Sequence, residues 1–228
     1  MQPLSVVKII QTAMKKIVLI GASGYVGSAI LAEALSRGIA VVAVVRDPSK
    51  IELSYPNLKV TVADVSSADM VAGTAAGADA VISAYNPGWQ NPRIYEEIQH
   101  TYPQIIAGVK RSGVKRLLVV GGAGGLYVAP GVRLIDRGVP ASLRPGILGQ
   151  AEVYEKMLKP ERQLDWVFLA PAANMQPGRR TGVFRLGQDD LIVDARGHSD
   201  ISVEDYAVAM VNEFEKPAHH RERFTVGY

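Results

Sequence analysis

One segment near the start of the chain constrains its fold more than any other feature. An apolar run over residues 16–20 leads into a turn that carries Gly21, Gly24 and Gly27, and apolar side chains then recur at helical spacing over residues 25–36. This order predicts a buried strand, a tight turn and a helix. Glycines at such a junction let the backbone approach a pyrophosphate, whose charge faces the N-terminus of the helix. The segment therefore indicates a dinucleotide-binding turn, with a purely structural turn as the alternative.

Strand-like and helical patterns alternate along the rest of the first 170 residues. Apolar runs predict strands over residues 39–45, 58–63, 78–84, 115–120 and 165–170. Helical periodicity is found over residues 67–76, 94–111 and 147–158. Because strands that alternate with helices form parallel sheets with right-handed crossovers, we expect an α/β fold with a doubly wound parallel sheet.

The pattern changes toward the C-terminus, where we expect a small hairpin and helix on the substrate side of the sheet. Residues 182–186 and 191–194 are strand-like and are predicted to pair as a hairpin. Residues 202–216 predict a helix, and Ser202 with Asp205 three positions later fits a capping box.

Composition sets the size and class of the protein. The 228 residues are 48% hydrophobic and contain no linker-like stretch, so we expect one domain over residues 14–228 after an N-terminal extension of residues 1–13. The chain has no cysteine, which excludes disulfides and thiol chemistry. No apolar run approaches the ~20 residues that span a bilayer. We therefore expect a cytoplasmic protein without a membrane partner.

The charges argue against large anionic partners. A net charge of +3 is spread over scattered Lys and Arg residues without a basic stripe, so nucleic acid is not an expected partner. The four histidines show no metal-ligand spacing, and no metal site is predicted. We expect a monomer or homodimer that acts on a small molecule.

The end of the second predicted strand bears on cofactor choice. Arg46 stands where NAD-preferring folds place an acidic residue, and a guanidinium there suits the 2′-phosphate of NADPH. Ser23 can add a hydroxyl contact. NADPH is therefore favoured, and NAD stays open because Asp47 follows at once and can turn inward to the ribose hydroxyls.

Other loops at strand ends supply further contacts. Asp64 with Val65 can bind the adenine, although Asp64 can equally cap the next helix. The loop after the fourth strand carries Tyr85 and Trp89, which we expect as aromatic walls beside the nicotinamide or a flat substrate, with a surface turn as the alternative. The expected cofactor-binding residues are Gly21, Ala22, Ser23, Gly24, Tyr25, Val26, Gly27, Arg46, Asp64, Val65, Ala84, Tyr85, Asn86, Gly121, Gly122, Ala123 and Pro171.

Four motifs resemble those of an atypical short-chain dehydrogenase group. They are Gly-Ala-Ser-Gly-Tyr-Val-Gly, Ser-Ala-Tyr-Asn-Pro-Gly-Trp, Val-Val-Gly-Gly-Ala-Gly-Gly-Leu-Tyr-Val-Ala-Pro-Gly and Ile-Ser-Val-Glu-Asp-Tyr-Ala. Members of the group are called NAD(P)H-binding proteins or NADH-flavin reductases, and are similar to the mammalian flavin reductase that also reduces biliverdin-IXβ. The resemblance covers residues 15–228 and implies a Rossmann fold, a reduced nicotinamide cofactor and a flavin acceptor.

The sequence departs from the related catalytic patterns. Short-chain dehydrogenases use a Tyr-x-x-x-Lys pair, whereas Tyr154 is followed four positions later by Leu158. Their catalytic serine is absent from the glycine run at residues 121–125, and no histidine follows Pro171 as it does in the biliverdin and flavin reductases. Alcohol oxidation that needs a general base is therefore disfavoured. The catalytic residue stays unassigned, with Tyr85 and Tyr127 as weak candidates.

Hydride transfer to a flat conjugated acceptor remains compatible with such a site. It requires that two rings be stacked, and the remaining proton can come from water. We therefore expect an NAD(P)H-dependent reductase that takes flavin as a substrate rather than as a bound cofactor. The alternatives are a non-catalytic dinucleotide sensor and, more weakly, a sugar-nucleotide epimerase.

Overall fold

The computed structural model describes residues 14–228, so the predicted extension of residues 1–13 lies outside the described part. The helices are α1 (Tyr25–Ser36), α2 (Ala68–Ala75), α3 (Ile94–Ser112), α4 (Arg144–Glu152) and α5 (Val203–Glu215). The strands are β1 (Lys16–Ile20), β2 (Ala40–Val45), β3 (Leu58–Val62), β4 (Ala80–Ser83), β5 (Arg116–Val120), β6 (Tyr127–Ala129), β7 (Val132–Arg133), β8 (Asp165–Ala170), β9 (Asn174–Gln176), β10 (Arg185–Gly187), β11 (Asp200–Ser202) and β12 (Glu222–Gly227). Helix α4 continues into a π-helical segment, Val153–Leu158.

Eight strands form the central sheet, in the order β10-β12-β8-β5-β4-β1-β2-β3. Every neighbouring pair is parallel except β10 and β12, which are antiparallel. The chain runs outward from β1 through β2 to β3 and then returns to β4 on the other side of β1. This reversal is the topological switch point of a doubly wound sheet, where ligands bind beyond the carboxyl ends of the strands. The predicted fold class is confirmed.

The sheet is buried on both faces, which explains why its strands are almost continuously apolar. Side chains of β1 alternate between two cores, since Ile17 and Leu19 pack on one face and Val18 and Ile20 on the other. The first core includes side chains from α1 and α5, and the second includes side chains from α3.

The predicted C-terminal hairpin is wrong. Strand β10 pairs with β12 at the edge of the main sheet, and residues 191–194 form no strand. The backbone N–H of Leu191 instead donates to the carbonyl of Tyr127 at 2.9 Å. An isolated two-stranded hairpin is marginal in water, whereas the edge of a packed sheet offers backbone partners that are already supported by a core.

The predicted helix cap forms in part. Ser202 Oγ accepts the backbone N–H of Asp205 at 3.0 Å, as a capping box requires. The Asp205 carboxylate does not return the interaction, because it accepts the backbone N–H groups of Thr181 and Gly182 and the hydroxyl of Tyr228. Asp205 therefore fastens the segment before β10 to α5.

Candidate dinucleotide site

A cleft of about 690 Å³ lies beyond the carboxyl ends of the central strands. It is lined by these predicted residues: Gly21, Ser23, Gly24, Tyr25, Val26, Arg46, Val65, Ala84, Tyr85, Asn86, Gly121, Gly122, Ala123 and Pro171. Ala22, Gly27 and Asp64 do not line it. The doubly wound topology thus brings together segments that are up to 150 positions apart in the sequence.

The glycine turn is closely packed. Gly21 has a φ of +76°, and a Cβ there would lie 2.6 Å from the carbonyl oxygen of Ala84. A Cβ on Gly27 would lie 2.0 Å from the carbonyl oxygen of Gly21. Gly24 is the N-cap of α1 and supplies no side-chain hydrogen bond, so the first amides of α1 are open to an anion in the cleft. This turn fits the pyrophosphate of a dinucleotide.

Arg46 and Asp47 have different orientations at the end of β2. Arg46 is exposed and lines the cleft. Asp47 Oδ1 accepts the backbone N–H of Ser49 at 3.0 Å and its hydroxyl at 2.7 Å. These hydrogen bonds from Ser49 lower the pKa of Asp47 and hold its carboxylate in a local turn.

A smaller cavity of about 420 Å³ adjoins this end of the cleft and shares Arg46, Val65 and Tyr85 with it. Asp64 lines this cavity and accepts the backbone N–H and the hydroxyl of Ser66, which lower its pKa. Ser67, and not Asp64, caps α2. Asp64 therefore faces the smaller cavity and not the main cleft.

The two aromatic side chains of the β4 loop line the cleft in different ways. The Tyr85 hydroxyl is hydrogen-bonded to Thr101 Oγ1 at 3.1 Å, and burial raises the pKa of Tyr85. A tyrosine with a raised pKa is a poor proton donor at neutral pH. Trp89 is half exposed and covers Gly146, where a Cβ would lie 2.7 Å from the indole ring. Both side chains offer surfaces rather than acid–base groups.

The other candidate tyrosines lie outside the cleft. Tyr127 is held by backbone hydrogen bonds to Asp189 and Leu191 and does not line the cleft. Tyr154 is buried against Trp166 and Phe168, with the Arg223 guanidinium over its ring at 4.4 Å. Tyr154 therefore packs in the core and does not contact the cleft.

Sequence reasoning missed the far wall of the cleft. This wall consists of Leu134, Gly138, Val139, Pro140, Leu143, Ile147, Gln150, Ala173 and Met175. The sequence of residues 134–143 has neither helical nor strand periodicity. The one available signal was the position of this segment between two central strands, β5 and β8, whose carboxyl ends face the cleft. Gln150 is buried, its Nε2 donates to the Tyr102 hydroxyl at 3.5 Å, and its Oε1 has no hydrogen-bond partner.

The described residues contain no helix long and apolar enough to cross a membrane. Within the same part of the chain, no three His, Asp or Glu side chains form a group suited to a metal ion.

The fold and the cleft together define a Rossmann-fold protein of the dinucleotide-binding class. The sequence profile of the NAD(P)H-binding family matches residues 21–217, and the chain belongs to this family. The resemblance predicted from the four motifs is confirmed.

Several known proteins are similar along nearly their whole length. The uncharacterized protein YwnB of Bacillus subtilis is 39% identical over 215 residues, which are 92% of this chain and 97% of that protein. The crystal structure of a candidate epimerase of Bacteroides thetaiotaomicron is 58% identical, with a TM-score of 0.90 over 94% of this chain and 97% of that chain. A candidate NADH-flavin reductase of Streptococcus pneumoniae is 32% identical, with a TM-score of 0.79 over 93% of this chain and 99% of that chain.

Proposed function

We propose that this protein is an NADPH-dependent reductase that transfers hydride to a flavin or to a similar flat conjugated acceptor. The composition of the cleft supports this proposal most strongly, because a glycine turn suited to pyrophosphate is continuous with aromatic and apolar walls. Bound NADPH would supply the hydride. Neither Tyr127 nor Tyr154 lines the cleft, so neither can act as an acid or base on the acceptor. The role of the chain would be to hold the nicotinamide and acceptor rings in contact.

The positions of the side chains suggest a division of the cofactor site. The backbone N–H groups of Tyr25 and Val26 at the start of α1 would bind the pyrophosphate, and Arg46 would contact the 2′-phosphate. The N–H groups of Gly21 and Gly24 already donate to the carbonyls of Val44 and Gly21, so these glycines would shape the turn rather than bind the anion. Tyr85, Ala123 and Pro171 would flank the nicotinamide. The proposed preference for NADPH over NADH is supported by Asp47, whose Oδ1 accepts two hydrogen bonds from Ser49 in a local turn.

The name of the Streptococcus pneumoniae relative supports flavin as an acceptor, and that of the Bacteroides relative suggests an epimerase. Epimerisation through oxidation of a sugar hydroxyl requires a general base beside the substrate. Tyr85 is the predicted candidate that lines the cleft, but its hydroxyl is bonded to Thr101 and its pKa is raised by burial. The reductase is therefore the better-supported function.

Steady-state oxidation of NADPH in the presence of riboflavin tests this proposal. We expect saturable, enzyme-dependent loss of NADPH well above the rate of the two compounds in free solution. Tight NADPH binding without turnover would contradict the proposal and would favour a dinucleotide sensor.

A further inference from the structure

The order of strands gives the cleft two distinct ends. Arg46 and Val65 follow β2 and β3 on one side of β1, whereas Pro171 and Ala173 follow β8 on the other side. Under the proposed function, the adenosine phosphate lies at the first end. The acceptor therefore lies at the second end, beside the far wall of the cleft.

The acceptor end is strongly apolar. Its walls include Trp89, Leu134, Val139, Leu143, Ile147 and Met175. Among the lining residues of the described chain, Arg46 alone is charged, and it belongs to the opposite end. A ligand that reaches the acceptor end therefore contacts no ionised side chain.

Arg133, Arg137 and Arg144 flank this wall but do not line the cleft, and two of them have partners nearby. The Arg133 guanidinium pairs with Asp136 at 2.9 Å, and Arg144 Nη1 donates to the carbonyl of Ile135 at 3.2 Å. Neither arginine lines the cleft. The buried polar side chain at this end is Gln150, a neutral carboxamide whose Oε1 is unpartnered. It carries no charge that could pair with an anionic ligand.

We propose that the cleft selects an uncharged conjugated acceptor over an anionic one, an inference that rests on the proposed reductase function. An anionic substituent on the ring would lose its hydration among apolar side chains without gaining a cationic partner, and burial of an unpaired charge is costly. A neutral ring keeps its apolar contacts and does not lose the hydration of a charge. In the reaction, a quinone gains a hydride from NADPH and one proton from water to give the hydroquinone, while NADPH becomes NADP⁺.

Two matched acceptors test this selectivity: naphthoquinone and naphthoquinone sulfonate, which differ by a single anionic group on the ring. We expect kcat/KM for NADPH oxidation, corrected for the free-solution rate, to be at least about tenfold higher with naphthoquinone. A smaller ratio, or a preference for the sulfonate, would overturn the inference and leave the reductase function standing. Absence of enzyme-dependent turnover with both quinones and with riboflavin would contradict the reductase function itself.

A pair of lysine variants ties the selectivity to this wall. Leu143 lines the cleft at 38% exposure, and Leu53 lies outside it at a similar 39%. We expect Leu143→Lys to reduce the preference for the uncharged quinone severalfold by offering the sulfonate a cation, and Leu53→Lys to leave it unchanged. Equal effects of the two substitutions, or no effect of either one, would overturn the assignment of the acceptor end.

Discussion

Gly21 and Gly27 determine how closely the first turn approaches the cleft. Gly21 adopts a positive φ beside the carbonyl of Ala84, and Gly27 leaves room for the carbonyl of Gly21. Side chains at these positions would push the turn away from the sheet. The role of both glycines could be predicted from the sequence, because a tight turn between a strand and a helix requires glycine.

The first prediction concerns Gly27. Gly27→Ala introduces a Cβ 2.0 Å from the Gly21 carbonyl oxygen, so the turn must shift. We expect the Kd for NADPH to rise at least about tenfold, which corresponds to about 1.4 kcal/mol. Fluorescence titration measures the change. The matched control is Gly73→Ala, because Gly73 is an exposed glycine of α2 with open space around its Cα. A folded Gly27→Ala protein with unchanged affinity would contradict the role of the turn.

A second prediction concerns cofactor preference. Arg46→Ala removes the guanidinium from the cleft, and we expect NADPH affinity to fall about tenfold to a hundredfold while NADH affinity changes little. Competition titrations with both cofactors check this outcome. Lys50→Ala serves as the control, since Lys50 is also exposed but does not line the cleft. Parallel losses for NADPH and NADH would show that Arg46 does not recognise the 2′-phosphate.

Side-chain directions at the strand ends could not be predicted from the sequence. Asp47 and Asp64 each accept hydrogen bonds from a serine two positions later, and such local turns compete with contacts to a ligand. The sequence shows that a carboxylate is present but does not show which partner it selects. Tyr127 illustrates the same limit, because its place outside the cleft results from backbone pairing with a distant segment.

At the scale of elements, residues 177–184 connect β9 with β10 and are held by side chains of α1 and α5. The Arg180 guanidinium binds the buried Glu33 of α1 at 2.7 and 2.8 Å, and the hydrogen bonds from Arg180 lower the pKa of Glu33. Asp205 of α5 holds Thr181 and Gly182. These contacts link elements that are distant in the sequence and are not visible in the periodicity of residues 182–194. That periodicity alone therefore predicted a local hairpin, which is wrong.

The third prediction tests this connection. Burial raises the pKa of Asp205, but hydrogen bonds from Thr181, Gly182 and Tyr228 outweigh this effect and lower it overall. We expect Asp205→Asn to reduce the free energy of unfolding by about 2–4 kcal/mol near neutral pH. Asp69→Asn, at an exposed pair with Arg111, should cost no more than about 0.5 kcal/mol. Urea denaturation measures both.

The sign of the pH dependence follows from the lowered pKa. A carboxylate with a lowered folded pKa stabilises the protein fully above the unfolded pKa, and this contribution is lost as the pH falls through the folded value. The stability difference between wild type and Asp205→Asn should therefore shrink below about pH 4. A difference that stays constant into the acid range would contradict the hydrogen-bonding role of ionised Asp205.

At the scale of the whole molecule, alternation of strands and helices is sufficient to predict the doubly wound sheet. The strand order brings Arg46, Tyr85, Gly121 and Pro171 to one edge, and this juxtaposition follows from topology alone. The far wall of the cleft could not be predicted, since residues 134–143 show no periodic pattern in the sequence. Their short 3-10 turn, Leu134–Arg137, is positioned by packing and by hydrogen bonds such as that from the Leu134 N–H to the Leu126 carbonyl. A cytoplasmic monomer or homodimer stays a prediction.

Calorimetric titration of the folded protein with NADPH tests whether the cleft binds a nicotinamide dinucleotide. We expect saturable binding that is tighter for NADPH than for NADH and is weakened by Gly27→Ala. Absence of saturable heat with both nucleotides, in protein whose circular dichroism confirms an intact fold, would contradict it.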